Sequence, residues 1–439
     1  MHFATGTLPT RVIAAWGVEG ALSYHGTNFA KAEVILFSDA SSANVDPILE
    51  ITAENTTTYF DVVSDNFTIP ARTTTYKFTC LPAAELPADG KFHSIGFDGV
   101  VENATEKYVH HLVLTGFSNS DDCWAVCRGS VSSSGSTITE SSSANLSSSI
   151  SSSSTSLPPA CLNYSASPMF VWTPGVRALV TPDDAGFRFG PEAYSFQSVG
   201  VQVHYNNPDL DEGRQDSSGV RMYYTETFRK MDAAPLQLGD PFLVLSGQTV
   251  PDGKSQFSFD CPSSCTQEYF QDDEVTVFGH FLHMHATGQH LVTRQYRDDV
   301  LISTARVEYY AFEQAGAYVT AYNSSETIRR GDRFETQCYY DTALAISDDG
   351  SVNFGLGSED EMCLDVLYYY PMQPIPFSSC GLSSCGAVLV DEVNALDANS
   401  DLNRTFGIVD TTCAEILREV GCPSDFWRFA VLAEFLGCE

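Results

Sequence analysis

The sequence predicts an all-β protein built in two halves, with helix confined to its C-terminal end. Three observations carry this. Apolar residues gather in short runs rich in Val, Ile, Tyr, Phe and Thr, broken by Gly, Pro, Asn and Asp. Some runs alternate: in residues 198–208, Val201, Val203 and Tyr205 share one face, while Gln202, His204 and Asn206 share the other. Helical spacing is confined to residues 413–421 and 426–436, with Gly421 as a C-terminal stop.

At 439 residues the chain has the length for two or three domains with real cores. Its net charge of −33 argues against a general nucleic-acid-binding surface. Thirteen cysteines without paired CxxC units read as disulfides plus one odd thiol. Sequons at Asn55, Asn66, Asn103, Asn145, Asn163, Asn323 and Asn403 join them in favouring the secretory lumen or the extracellular space. Residues 1–20 lack the basic and apolar regions of a signal peptide. No apolar run reaches the roughly 18 residues of a transmembrane segment.

Taken in order, residues 11–37 read as short strands, too few for a sandwich of their own. His25, alone here, reads as structural. Strands continue through 67–80, 93–97 and 107–116. The last holds His110 and His111, which on a regular strand face opposite ways and reach one metal only at a bulge or sheet edge. Residues 129–156 are dominated by Ser and form a low-complexity insertion between Cys127 and Cys161. On the strand 198–206, His204 lies on the polar face, open to a ligand. A domain boundary falls near Lys230, and the second half repeats the all-β style through residue 371.

Residues 277–290 carry four of the ten histidines, at 280, 283, 285 and 290. Val275, Val277, Phe281, Leu291 and Val292 make the region strand-like, so His283 and His285 project side by side. Such a pair is more often surface or structural than metal-binding, so further ligands decide the matter. Met362 is usually core filler by type, yet its thioether is a soft ligand that suits copper and suits zinc poorly.

The segments VHHLVLTGF, VQVHYNNP, DSSGVRMYYT, LHMHATG and EDEMCLDVLYYYP, in this order and spacing, resemble the copper type II, ascorbate-dependent monooxygenases. The resemblance covers roughly residues 59–385. It implies two consecutive antiparallel β-sandwich, jelly-roll-like domains at 59–228 and 229–385, then a partly helical extension at 386–439. Residues 1–52 look like the end of the DOMON domain that precedes this core in the dopamine branch. We therefore expect the chain to be truncated at its N-terminus.

The resemblance implies two copper ions per chain. His110, His111 and His204 match the ligands of the electron-transfer copper. His283, His285 and Met362 match those of the copper that activates O2, and His280 and His290 are left as surface or outer residues. Ascorbate supplies the electrons, the electron-transfer copper stands distant from the other, and hydroxyl is placed on a substrate carbon. The implied disulfides are Cys338–Cys363, Cys261–Cys380 and Cys123–Cys161, with Cys80–Cys127 less firmly and Cys265 bonded to Cys413, Cys422 or Cys438.

The peptide-amidating branch grips a carboxylate with Arg, Asn and Tyr where this chain has Phe281, Leu364 and Val366. Amidation is therefore not expected, and a small amine, phenethylamine-like substrate is favoured. Asp365 is a candidate partner for the amine, although strand alternation turns it away from Met362. Two other classes stand beside this reading. A non-catalytic secreted copper-binding β-protein of the same fold is opposed by the presence of all six ligands. A zinc hydrolase needs a Glu base in an HExxH-like setting, which HFLHMHATG lacks.

Overall fold

The structure is a computed structural model that describes residues 9–15, 29–35, 47–52, 56–118, 166–174, 176, 178–239, 249–310, 317–319, 326–345, 350–355, 359–375 and 380. His25, the Ser-rich insertion, Cys123, Cys127, Cys161 and both expected C-terminal helices lie outside the described residues. Strands β1 (Pro9–Ala15) and β2 (Phe29–Ile35) pair antiparallel, and a short helix α1 (Pro47–Thr52) follows.

The first group of strands comprises β3 (Thr58–Val63), β4 (Phe67–Ile69), β5 (Thr74–Leu81), β6 (Phe92–Val100), β7 (Val109–Phe117), β8 (Ala166–Trp172), β9 (Ala178–Val180), β10 (Ala185–Phe189), β11 (Ser198–Asn206), β12 (Arg214–Asp216) and β13 (Gly219–Thr225). The second comprises β14 (Met231–Gly239), β15 (Lys254–Cys261), β16 (Glu274–His283), β17 (Gly288–Arg297), β18 (Val300–Val307), β19 (Ala317–Val319), β20 (Thr327–Arg329), β21 (Arg333–Asp341) and β22 (Leu364–Tyr370). A helix, α2 (Ser263–Tyr269), follows β15. The chain is thus all-β in its described residues apart from short helical turns, as the strand-length runs and turn residues predict.

In the first sandwich, the layer β3-β13-β6-β10, with β9 beside β6, faces the sheet β5-β11-β7-β8. In the second, β14-β22-β16, flanked by β19 and β20, faces β15-β21-β17-β18. The alternation read from β11 is real: Val199, Val201, Val203 and Tyr205 are fully buried. One feature departs from the antiparallel expectation. Residues 185–187 of β10 pair in parallel with 231–233 of β14, so one ten-stranded sheet runs through both sandwiches. A parallel pair needs a long crossover, which β11 to β13 supply.

Apolar packing crosses the same junction. Phe278, Phe281, Val366 and Tyr368 of the second sandwich belong to the core of the first. The Phe187 ring lies 6.5 Å from Phe278 and 6.3 Å from Tyr368. Polar contacts lock the connection. The backbone N–H of Arg229 donates to Nδ1 of His93 (3.0 Å), so the ring proton sits on Nε2 and reaches Asp232 at 2.9 Å. The Arg229 guanidinium donates to the carbonyls of Pro182 (2.7 Å) and Ala185 (3.0 Å).

Two of the implied disulfides, Cys261–Cys380 and Cys338–Cys363, are present. Cys80 and Cys265 are disulfide-bonded as well. Among the described residues, no helix is long and apolar enough to cross a membrane.

Asp216 anchors the polar end of β11. Its buried carboxylate accepts from the Tyr205 hydroxyl (2.7 Å), the Ser218 N–H (2.9 Å), the Ser218 hydroxyl (2.7 Å) and the Thr105 hydroxyl. Asp216→Ala leaves these donors unpaired in the interior. We expect a loss of about 3 kcal/mol in unfolding free energy, read by denaturant titration. A loss under about 1 kcal/mol would contradict this account of the hub.

Candidate metal centre

The first histidine cluster depends on an irregularity between β7 and β11. His204 pairs with His111, but Tyr205 pairs with Val109, leaving His110 as the extra residue of a bulge. The bulge removes the alternation that would send His110 and His111 to opposite faces. Nδ1 of His111 lies 3.1 Å from Nδ1 of His110 and 3.4 Å from Nδ1 of His204. All three rings are buried. His204 is therefore not on an open polar face. It is covered by the ring of Tyr76, its cross-strand neighbour on β5, stacked at 4.6 Å.

The electrostatics of this cluster favour a cation at its centre. Each nitrogen has one in-plane position for a proton or a lone pair, so His111 serves two imidazole partners poorly. A metal at the focus meets all three lone pairs at once. Burial, then the neighbouring imidazoles, push His111 and His204 well below the ordinary histidine range. Both are neutral at neutral pH, which is the ligating form.

The second cluster lies at the end of β16. The strand stops at His283, and His285 belongs to the turn before β17, closed by the Gly288 N–H on the His285 carbonyl (3.2 Å). A continuous strand would have spaced the two rings by the pleat. The turn instead sets their centroids 5.0 Å apart at 80°. Gly288 is required there, since a Cβ would stand 2.7 Å from the Cβ of Met284.

Outer contacts orient both rings. Nδ1–H of His285 donates to the Asp360 carbonyl (3.1 Å), which puts the ring's lone pair on Nε2. Nδ1 of His283 faces the hydroxyl of Tyr310 at 3.5 Å, and that hydroxyl donates to the carbonyl of Met284.

Met362, buried, precedes β22 and is fixed by its neighbours. Its carbonyl accepts from the Tyr340 hydroxyl (3.1 Å), and Cys363 is tied to Cys338 on β21. Its N–H donates to the carboxylate of Glu361 (3.3 Å), which also takes the N–H groups of His285 (3.0 Å) and Thr287 (2.6 Å). Burial pushes Glu361 up to about 7, against the pull of these donors. Sequence reading passed over Glu361. Its place beside Met362 was the only hint, because its partners are mainly backbone amides.

The expectation of two distant sites is corrected. The His111 and His283 rings are 6.1 Å apart, edge to face, because the sheet that carries β16 runs through both sandwiches and the sheet that carries β7 and β11 packs against it. Phe281 stacks beside His283 (6.0 Å, 18°) and pairs with Val366, while Leu364 pairs with His283. The positions of the amidating branch's carboxylate grip thus hold an apolar wall.

Asp365 is also corrected. It is fully buried, and its carboxylate meets Nδ1 of His280 at 2.9 Å, out of reach of a substrate amine. His280 is not a surface residue either. It lies between Asp365 and Glu326, the latter an ion-pair contact at 3.5 Å, too long for a good hydrogen bond. His290 is half-buried against Tyr339, with ring centroids 5.1 Å apart. The sulfurs of Cys261, Cys265 and Cys380 also cluster, but all three cysteines are disulfide-bonded and offer no thiolate.

Comparison with known proteins adds the following. The family model "Copper type II ascorbate-dependent monooxygenase, N-terminal domain" matches residues 60–212, and the model of the C-terminal domain matches 233–390. Tyramine beta-hydroxylase of Caenorhabditis briggsae is 32% identical over 217 residues, covering 48% of this chain and 35% of that protein. Dopamine beta-hydroxylase of Equus caballus is 28% identical over 321 residues, covering 71% and 46%. DBH-like monooxygenase protein 1 of Homo sapiens is 28% identical over 332 residues, covering 71% and 47%. The chain spans less than half the length of each of these relatives.

The His280–Asp365 pair yields a pH prediction. Burial opposes the imidazolium, but Asp365 and Glu326 outweigh it and push His280 up to about 10. The folded-state value is raised, so the stabilisation is complete below the ordinary 6.5 and is lost as pH rises through about 10. Asp365→Asn is expected to cost about 3–5 kcal/mol at pH 6, with the gap to wild type narrowing towards pH 10. Denaturant titrations at both pH values read this, and a gap independent of pH would refute it.

Proposed function

The chain belongs to the copper type II ascorbate-dependent monooxygenase family, and from that premise we propose that it hydroxylates a C–H bond of a small phenethylamine-like substrate. O2 is the co-substrate and ascorbate the electron donor. His110, His111 and His204 hold the electron-transfer copper; His283, His285 and Met362 hold the copper at which oxygen is activated. When bound, copper supplies reversible one-electron chemistry and oxygen binding, which no side chain here provides.

The observation that carries this reading is the convergence of three buried Nδ1 atoms opposite a second pair of oriented imidazoles. Neutral imidazole and thioether donors form a soft set suited to copper, and they leave Glu361 and Asp365 engaged elsewhere. His111 and His204 stay unprotonated and ready to ligate. Phe281 and Val366 keep water from the flank of His283 and offer apolar surface in place of a carboxylate grip. That favours an aromatic amine over a peptide acid, and the net charge of −33 draws cations towards the protein. The disulfides support a place in the secretory lumen or outside the cell.

The test is oxygen uptake by the copper-loaded protein with ascorbate and tyramine, beside Met362→Ile. The variant is expected to lose at least about 100-fold in rate while its three-histidine site keeps its metal. Equal rates in the two proteins would overturn the assignment. Copper binding by the wild type without uptake on any phenethylamine would favour a non-catalytic copper-binding protein.

A further inference from the structure

Glu361 has no solvent exposure, and its carboxylate has no cationic partner in the hydrogen bonds that hold it. Oε2 accepts from the N–H groups of His285 (3.0 Å) and Met362 (3.3 Å). Oε1 accepts from the N–H of Thr287 (2.6 Å) and its hydroxyl (2.7 Å). The residue is anchored in turn. Its N–H donates to the Asn353 carbonyl (2.7 Å), and its carbonyl accepts from the Gly355 N–H (3.0 Å). A buried carboxylate satisfied only by neutral donors is costly, and stability alone does not account for it.

The chemistry of the group explains what it can do that a neutral residue cannot. An ionised carboxylate is acceptor-only, with lone pairs enough for four donors. It can therefore bind N–H groups from two chain segments together. A glutamine of the same shape would turn an NH2 group towards one set of N–H donors and push that segment away. The two segments here are the His285 turn and the stretch that carries Met362.

We propose that Glu361 is the positioning residue of the second site: by holding the backbone of His285 against that of Met362, it makes the thioether and the two imidazoles share one focus. The proposal rests on the copper reading given above. It differs from the roles of the Cys338–Cys363 disulfide and of Tyr340, which tie the Met362 segment to β21 and reach the His285 turn only through that strand, by the Asp341 N–H on the Thr287 carbonyl (2.8 Å).

The experiment compares copper-loaded, ascorbate-reduced wild type with Glu361→Gln at one fixed pH. It measures copper per chain by titration and the Cu–S contribution by X-ray absorption. The wild type is expected to bind two coppers and show Cu–S scattering. Glu361→Gln is expected to keep the copper of the three-histidine site, lose the Cu–S signal, and bind the second copper about 10–100-fold more weakly. An unchanged Cu–S signal and unchanged second-site affinity in Glu361→Gln would overturn the proposal while leaving the copper reading in place. A wild type without Cu–S scattering would overturn that reading and the proposal with it. If Glu361→Gln does not fold, Thr287→Val is read instead, since it removes only the hydroxyl bond to Oε1. Second-site affinity is then expected to fall about 10-fold with the first site unchanged, and no fall would overturn the proposal.

Discussion

Three residues of parallel pairing, 185–187 against 231–233, constrain everything else in this molecule. Two sandwiches joined only by a tether would be free to point their strand ends anywhere. Here one sheet passes through both, and Phe187 packs on Phe278 and Tyr368 across the seam. The histidine-bearing ends of β7 and β11 therefore face the end of β16. Side chains far apart in sequence meet because β16 belongs to the shared sheet while β7 and β11 lie in the four-stranded sheet packed against it, and no local signal in either histidine motif demands it.

Charge is distributed with equal consistency. The side chains that converge at the candidate centre are imidazoles, neutral at neutral pH where burial acts on His111 and His204. The carboxylates nearby are taken out of play by dedicated partners: Asp216 by hydroxyls and an amide, Asp365 by His280, Glu361 by backbone N–H groups. A soft, uncharged donor set thus survives inside a strongly acidic protein. An unpartnered carboxylate in the same place would compete for the cation and change its preferred chemistry.

Much of this was legible in the sequence, and the limits have physical causes. Alternation along β11 located its buried face, but it cannot say that Tyr76 lies across from His204 and closes that side. The rule that adjacent strand residues diverge identified the need for a bulge at His110, and the register shift supplies it. Met362 became a candidate through resemblance, since a methionine near a strand carries no pattern of its own. The partners of Asp365 and Glu361 were hidden for different reasons. His280 lies 85 residues from Asp365, on a strand whose register no local rule fixes. Glu361 speaks to backbone amides, which every residue type but proline possesses.

The His93 ring at the seam has work for both of its nitrogens. Nδ1 accepts from the Arg229 N–H and Nε2–H reaches Asp232, while Phe228 closes one edge of the ring at 4.9 Å. The linker between the sandwiches is thus fastened at two points by one side chain, and a residue with a single polar atom at position 93 would have to release either Arg229 or Asp232.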